Sequence, residues 1–281
     1  ELFTGFGATA VTPAPDLAVG DVLGSCMFNL LILSLMDALQ PERISARAHQ
    51  GHVMTLGLGL ALISLAGLGL AGGTAWPRIG WMGLYSPLLV AGYLASARTT
   101  FIHEQQRLAR ERQEVAETLR YERISMRAAV ARYSVAALFV VGASLALPTL
   151  GVRLATETGL GEAFVGSLFI ALTTSLPEVV VSVTAVRMGA LDLGIGNILG
   201  SNLFNLLILG LDDAFYAPGP LLLAVGDGHL VAVLAVVAMN ALFLVGLTQQ
   251  VAAKRFRVAW DTGAIAVVYA CAMWLMYTVR A

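Results

Sequence analysis

Apolar residues run along this chain in eight blocks, at about 17–39, 52–72, 79–97, 129–150, 160–187, 192–213, 229–249 and 260–278. Each block approaches the roughly 20 residues that a helix needs to cross a bilayer. Residues 1–12, ELFTGFGATAVT, are apolar but too short to cross. Two of the blocks carry polar residues at fixed places. DLAVGDVLGSCMFNLLILSLMDAL from Asp16 and DLGIGNILGSNLFNLLILGLDDA from Asp192 repeat each other in register at an offset of 176. Gly20, Gly24, Ser25 and Asn29 therefore correspond to Gly196, Gly200, Ser201 and Asn205. Duplicated polar helices in lipid are the mark of secondary transporters.

Parity sets the symmetry. Four predicted spans separate the two repeated helices, so the second copy lies five crossings after the first and faces the other way. The expected fold is an all-α polytopic membrane protein built from two inverted-topology repeats of five helices each when complete. The chain opens on Glu1, and a whole span precedes the second copy that the first copy lacks. The expectation is that the first repeat is N-terminally truncated here. The predicted parts are a first repeat at 1–97, a helical linker at 98–128 and a second repeat at 129–281. Placing the linker in the cytoplasm puts fourteen of the seventeen Lys and Arg residues inside, leaving Arg78, Arg153 and Arg280 outside, as the positive-inside rule favours.

Composition fits that solvent. The chain is 58% hydrophobic and 12% charged, with net charge −1, which marks an integral membrane protein and gives no sign of a nucleic-acid partner. The expected partners are membrane lipid and small inorganic cations, with no cofactor and no enzymatic activity. Cys26 and Cys271 both lie in predicted spans, have no metal or disulfide spacing, and are read as free thiols.

Chemistry is densest in ALTTSLPEVVVSVTA. Pro177 has no N–H to close a helical bond, so a break near Thr173 to Pro177 is expected to free carbonyl oxygens at membrane depth. Thr174 and Ser175 stand four and three residues before Glu178, which places two hydroxyls and a carboxylate on one helix face. An oxygen cluster of this kind suits a hard cation, Na⁺ or Ca²⁺. Ser, Thr and Asn in membrane helices also serve simply to bond neighbouring helices. An intramembrane carboxylate is costly and is a functional candidate by default.

These motifs resemble the cation/Ca²⁺ exchanger superfamily, and within it the prokaryotic type of the sodium/calcium exchanger membrane-region family. Each of that family's two repeats joins a GTSLPE-like segment to a GNxxGSNxxN-like helix; the likeness covers Glu1 to about Leu39 and Gly159 to about Ala214. The resemblance implies a cation site made of the Ala171 carbonyl, Thr174, Ser175 and Glu178 with Ser201 and Asn205, joined by Glu1, Ser25 and Asn29 from the first repeat. It implies exchange of Ca²⁺ for Na⁺ by alternating access, in a prokaryotic plasma (inner) membrane. Thr173, Asp21 and Cys26 depart from the family pattern, and Asn205 stands where some members have Asp. With Asn at both Asn29 and Asn205, the site is expected to hold two carboxylates and a charge of −2.

Other features have more than one reading. Asp212 and Asp213, with Asp37 at the matching place in the first copy, are expected to face outside, as a cation-concentrating mouth or as helix-end residues seeking water. Asp192 reads equally well as a helix cap. The linker reads as a solvated or membrane-surface helix of alternating charge, and His103 has no second ligand at a metal spacing. A proton-coupled exchanger of Ca²⁺ or Na⁺ is the alternative on the same scaffold, since a carboxylate binds H⁺ as well as Na⁺. An intramembrane aspartyl protease built on Asp21 and Asp227 is the remote one, its GxGD pattern broken by Ala18 and Ala224.

Overall fold

The computed structural model describes residues 1–49, 51–111, 126–249, 253–254 and 256–278. Residues 112–125 of the predicted 98–128 linker lie outside these, and the side chain of His103 is not among those described. Helix α1 (Leu2–Phe6) continues as a π-helical turn (Gly7–Val11) and stops before α2 (Pro15–Ala38). A short α3 (Ile44–Arg47) leads to α4 (Gly51–Gly72), and α5 (Tyr85–Glu111) and α6 (Met126–Thr158) follow. Next come α7 (Glu162–Val165), a π-helical turn (Gly166–Ile170), α8 (Ala171–Thr174) and α9 (Leu176–Arg187). The chain closes with α10 (Leu191–Phe215), α11 (Gly228–Thr248) and α12 (Trp260–Thr278).

Five of these helices are long and apolar enough to cross a membrane, at Pro15–Ala38, Gly51–Ala75, Val130–Thr158, Leu191–Phe215 and Gly228–Thr248. A sixth is the pair Glu162–Thr174 and Leu176–Arg187, bent by 47°. The predicted spans at 79–97, helical from Tyr85, and at 260–278 fall outside this set. Residues 78–83 form a two-stranded hairpin, β1 (Arg78–Ile79) against β2 (Met82–Gly83), turned by Gly80 at φ +63, so α5 starts only at Tyr85 and runs on into the charged linker. In α12, the first turn carries Asp261, which is fully buried.

The inversion is visible in four side chains. Asp16, at the start of α2, accepts the Gly226 N–H at 2.8 Å and stands 2.9 Å from His229 Nε2, in the first turn of α11, the long helix after α10. Asp192, in the first turn of α10, accepts the His49 N–H at 2.8 Å and stands 3.0 Å from His52 Nε2, in the first turn of α4, the next long helix after α2. The repeated helices therefore run antiparallel, each tied by its leading aspartate to the histidine that follows its partner. Asp192 thus bonds outward, to the segment that leads into α4.

The crossing point is equally specific. Asn202 Nδ2 donates to the Cys26 carbonyl at 3.3 Å, and Cys26 Sγ lies 3.9 Å from the Asn202 carbonyl. Residues 26 and 202 are 176 apart, so the two copies touch at equivalent positions and the pseudo-twofold axis passes between them. Glycine permits the close approach on the other side of α2. A Cβ on Gly20 would stand 2.9 Å from the Ala163 carbonyl, one on Gly24 would run into the Ser167 backbone, and one on Gly166 would stand 2.7 Å from the Leu17 carbonyl. Small residues at such contacts let helix backbones pack where lipid offers no hydrophobic drive. Helix α2 is consequently the most enclosed span, packed by α10, α11, α12 and the bent pair.

Asp37 and Asp213 are also equivalent under the offset, and both are buried anchors at helix ends. Asp37 accepts the N–H groups of Ile44 and Ala259 and the Thr262 hydroxyl, and pairs with Lys254 at 3.0 Å. Asp213 accepts the N–H groups of Gly83 and Leu221 and the hydroxyls of Ser86 and Tyr85. Asp212 and Asp213 are both fully buried, which corrects the expected external pair. Backbone donors from the connecting segments close over Asp213 and replace the water that a helix-end carboxylate otherwise needs.

Candidate cation site

The bend between α8 and α9 is centred on Ser175, whose φ −92 and ψ 5 leave the helical region. The carbonyl that Pro177 deprives of its helical donor is that of Thr173, four residues back. The Ala171 carbonyl accepts the Ser175 N–H at 3.0 Å and lies 3.2 Å from Thr174 Oγ1, and a carbonyl oxygen has a second lone pair.

Around this bend the structure gathers side chains from four elements. Ser175 Oγ donates to Glu1 Oε1 at 3.3 Å, and Asn205 Nδ2 reaches the same oxygen at 3.5 Å. Ser201 Oγ, from α10, donates to Glu178 Oε1 at 3.2 Å. Thr174 Oγ1 lies 2.9 Å from Asp21 Oδ1 and 3.3 Å from Ser25 Oγ. A hydroxyl has one proton, so the shorter contact makes Thr174 the donor to Asp21 and leaves Ser25 to donate to Thr174. Asn29 is brought to α10 but binds Asn202, its Nδ2 donating to Asn202 Oδ1 at 3.1 Å.

Asp21 changes the electrostatics. It is fully buried, and it stands one helical turn before Ser25, which is one turn before Asn29, so all three share a face of α2. Three carboxylates, Glu1, Glu178 and Asp21, thus stand around the bend, one more than the two expected. The i, i+4 spacing from Asp21 to Ser25 is the signal for it in the sequence, masked by comparison with the Asn of related sequences. Asn202 carries no such signal; only the crossing of the two copies shows that it is the partner of Asn29.

Several oxygens here face no donor. Glu178 Oε2, Asp21 Oδ2, Asn29 Oδ1 and Asn205 Oδ1 are buried without a hydrogen-bond partner. Among the described residues no Lys, Arg or His pairs with Glu1, Glu178 or Asp21. Nor do three or more acidic, His or Cys side chains converge as a metal cluster among those residues. What is present is a spread of carboxylate, amide and hydroxyl oxygens. Buried acceptors of this kind are costly unless a positive charge meets them, and mixed oxygen ligands suit hard cations.

Fold and site together define a membrane protein with two antiparallel repeated helices that cross over an acidic, oxygen-lined centre. The family model "Sodium/calcium exchanger protein" matches residues 129–279, and the chain belongs to that family. The inner membrane protein YrbG of Escherichia coli is 31% identical over 207 residues, covering 73% of this chain and 61% of YrbG. The sodium/calcium exchanger MaX1 of Methanosarcina acetivorans is 46% identical over 59 residues, covering 21% of this chain and 17% of MaX1. Matches to these relatives thus span less than two thirds of their lengths. Among solved structures, the H⁺/Ca²⁺ exchanger CAX superposes with a TM-score of 0.62 at 14% identity, over 99% of this chain and 72% of CAX, and shares the fold.

Proposed function

We propose that this protein is a secondary active antiporter that exchanges Ca²⁺ for Na⁺ by alternating access. The single observation that carries this reading is the set of buried, donorless oxygens on Glu178, Asp21, Asn29 and Asn205, gathered where two inverted helices cross. In the proposed mechanism Glu178 and Glu1 supply the charge that meets the divalent ion. Ser201 and Ser175 hold these carboxylates in place through their hydroxyls, while Thr174, Ser25 and Asn205 complete the oxygen shell. An empty acidic site is costly to carry through a closed state, so the transition is favoured only when cations are bound, and this enforces counter-transport. Bending at Ser175 is the natural hinge for opening one side or the other.

The division into repeats at 1–97 and 129–281 joined by a cytoplasmic 98–128 linker belongs to this proposal, as does a prokaryotic inner-membrane location. Proton coupling is the second reading, favoured by the third carboxylate, Asp21, and by the name of the structural neighbour, an H⁺/Ca²⁺ exchanger. A protease finds no support among the relatives. The deciding experiment is ⁴⁵Ca²⁺ uptake by vesicles containing the full-length protein, under an imposed Na⁺ gradient and then under a proton gradient alone. Uptake driven by the Na⁺ gradient supports the first reading; uptake driven only by protons replaces it with the second. No uptake under either gradient overturns both.

A further inference from the structure

Asp212 is a carboxylate for which neither the repeat architecture nor the site described above has a use. Its neighbour Asp213 does the anchoring that Asp37 does in the first copy. At an offset of 176, the counterpart of Asp212 is Met36, a buried apolar side chain. Asp21 is likewise an extra charge, because its counterpart in the second copy is Asn197. The two unmatched carboxylates lie on the same side of the crossing at Cys26 and Asn202. Asp21 precedes Cys26 in α2, Asp212 follows Asn202 in α10, and the two helices are antiparallel. The equivalent positions on the other side, Asn197 and Met36, are neutral.

The surroundings of Asp212 are those of a ligand waiting for an ion. The residue is fully buried, and both of its carboxylate oxygens lack a hydrogen-bond partner. Among the described residues no Lys, Arg or His pairs with it. Its carboxylate points at α1, where a Cβ on Gly5 would collide with both oxygens, so glycine there leaves them room. Asp212 lies seven residues beyond Asn205, two turns along the same face of α10 and roughly 10 Å away along the axis. The chain of oxygens running from Ser201 through Asn205 therefore extends toward the end of the helix that bears Asp213.

We propose that Asp212 forms a second cation site that takes Na⁺. The site occupies one half of the transport path, the half away from the end of α5 that enters the linker. A monovalent ion fits better than Ca²⁺, which needs six to eight oxygens, whereas Asp212 brings two in a cradle closed on one side by the α1 backbone. Without a counterpart in the other half, this site makes the two openings of the path unequal toward Na⁺. The inference rests on the exchanger reading, and its test separates the two.

Equilibrium binding of ²²Na⁺ and of ⁴⁵Ca²⁺ is measured separately on the purified full-length protein, for the wild type, Asp212→Asn, Asp212→Met and Glu178→Gln. Asp212→Met installs the residue of the equivalent position, so it guards against an effect of misfolding, and a thermal melt accompanies each variant. The expected result is a loss of one bound Na⁺ per chain, or at least a tenfold rise in the Na⁺ concentration for half-saturation, in both Asp212 variants. The change in Ca²⁺ affinity should be several-fold smaller, whereas Glu178→Gln should act chiefly on Ca²⁺. Unchanged Na⁺ binding in the Asp212 variants, including the case of a carboxylate that holds only a proton, overturns the second site and leaves the exchanger reading standing. Equal losses of Na⁺ and Ca²⁺ also overturn it, by making Asp212 part of the first site. A wild type that binds neither ion overturns both.

Discussion

Replacing Glu178 by Gln keeps the length and shape of the side chain and removes one negative charge. In the structure, Glu178 Oε1 accepts the Ser201 hydroxyl at 3.2 Å and Oε2 is buried with no partner. Glutamine can preserve the first bond but puts an N–H₂ donor in place of one acceptor, facing a cation. Removing one member of a buried charge pair costs about 3–5 kcal/mol. At 1.4 kcal/mol per tenfold, Ca²⁺ binding should weaken between about a hundredfold and a few thousandfold. Folding should not suffer, because the variant loses an uncompensated buried charge; the cation-free protein should melt at the same temperature or higher. Calcium titration of the purified protein and ⁴⁵Ca²⁺ uptake into vesicles read the first effect, and a thermal melt in calcium-free buffer reads the second. Wild-type affinity and uptake in Glu178→Gln would refute the placement of this carboxylate at the transported ion. A large loss of stability without calcium would show that the carboxylate holds the fold instead.

Three further outcomes follow from the packing. Asp213→Ala leaves the Gly83 and Leu221 N–H groups buried without an acceptor, at about 1–3 kcal/mol each, so its thermal midpoint should fall well below that of the wild type; an unchanged midpoint would show that water reaches this helix end. Gly24→Ala drives a Cβ into the Ser167 backbone and should destabilise the protein by about 1–3 kcal/mol, whereas its repeat mate Gly200 meets nothing within 4 Å and Gly200→Ala should be close to neutral; equal melting of the two variants would contradict the close contact that α2, unlike α10, makes with the π-helical turn Gly166–Ile170. Asn202→Cys in a Cys271→Ala background should form a disulfide with Cys26 under mild oxidation, since residues 26 and 202 meet at the crossing; failure to cross-link, judged by intact free thiols after unfolding, would move the axis elsewhere.

Features that depend on period and on solvent are legible in the amino-acid sequence alone. Runs of apolar residues near bilayer length identify the spans, because backbone groups in lipid must be bonded within a helix. The offset of 176 reveals the duplication, and counting crossings reveals its inversion; the antiparallel ties from Asp16 to His229 and from Asp192 to His52 agree with that count. Spacing within one helix is legible too, so the grouping of Thr174, Ser175 and Glu178 follows from their positions in the chain. Contacts between the faces of different helices are another matter, because they depend on how each helix is rotated and where it crosses its neighbours. Asp21 reads as a simple replacement of Asn until Thr174 is seen to bond it. That Asn29 meets Asn202 from the other copy is equally invisible until the two helices cross. Asp212 and Asp213 are the plainest case. Neighbours in sequence and alike in chemistry, they diverge because consecutive residues of a helix point about 100° apart: Asp213 turns toward the N–H groups of Gly83 and Leu221, while Asp212 turns toward the bare backbone of Gly5 and finds no donor.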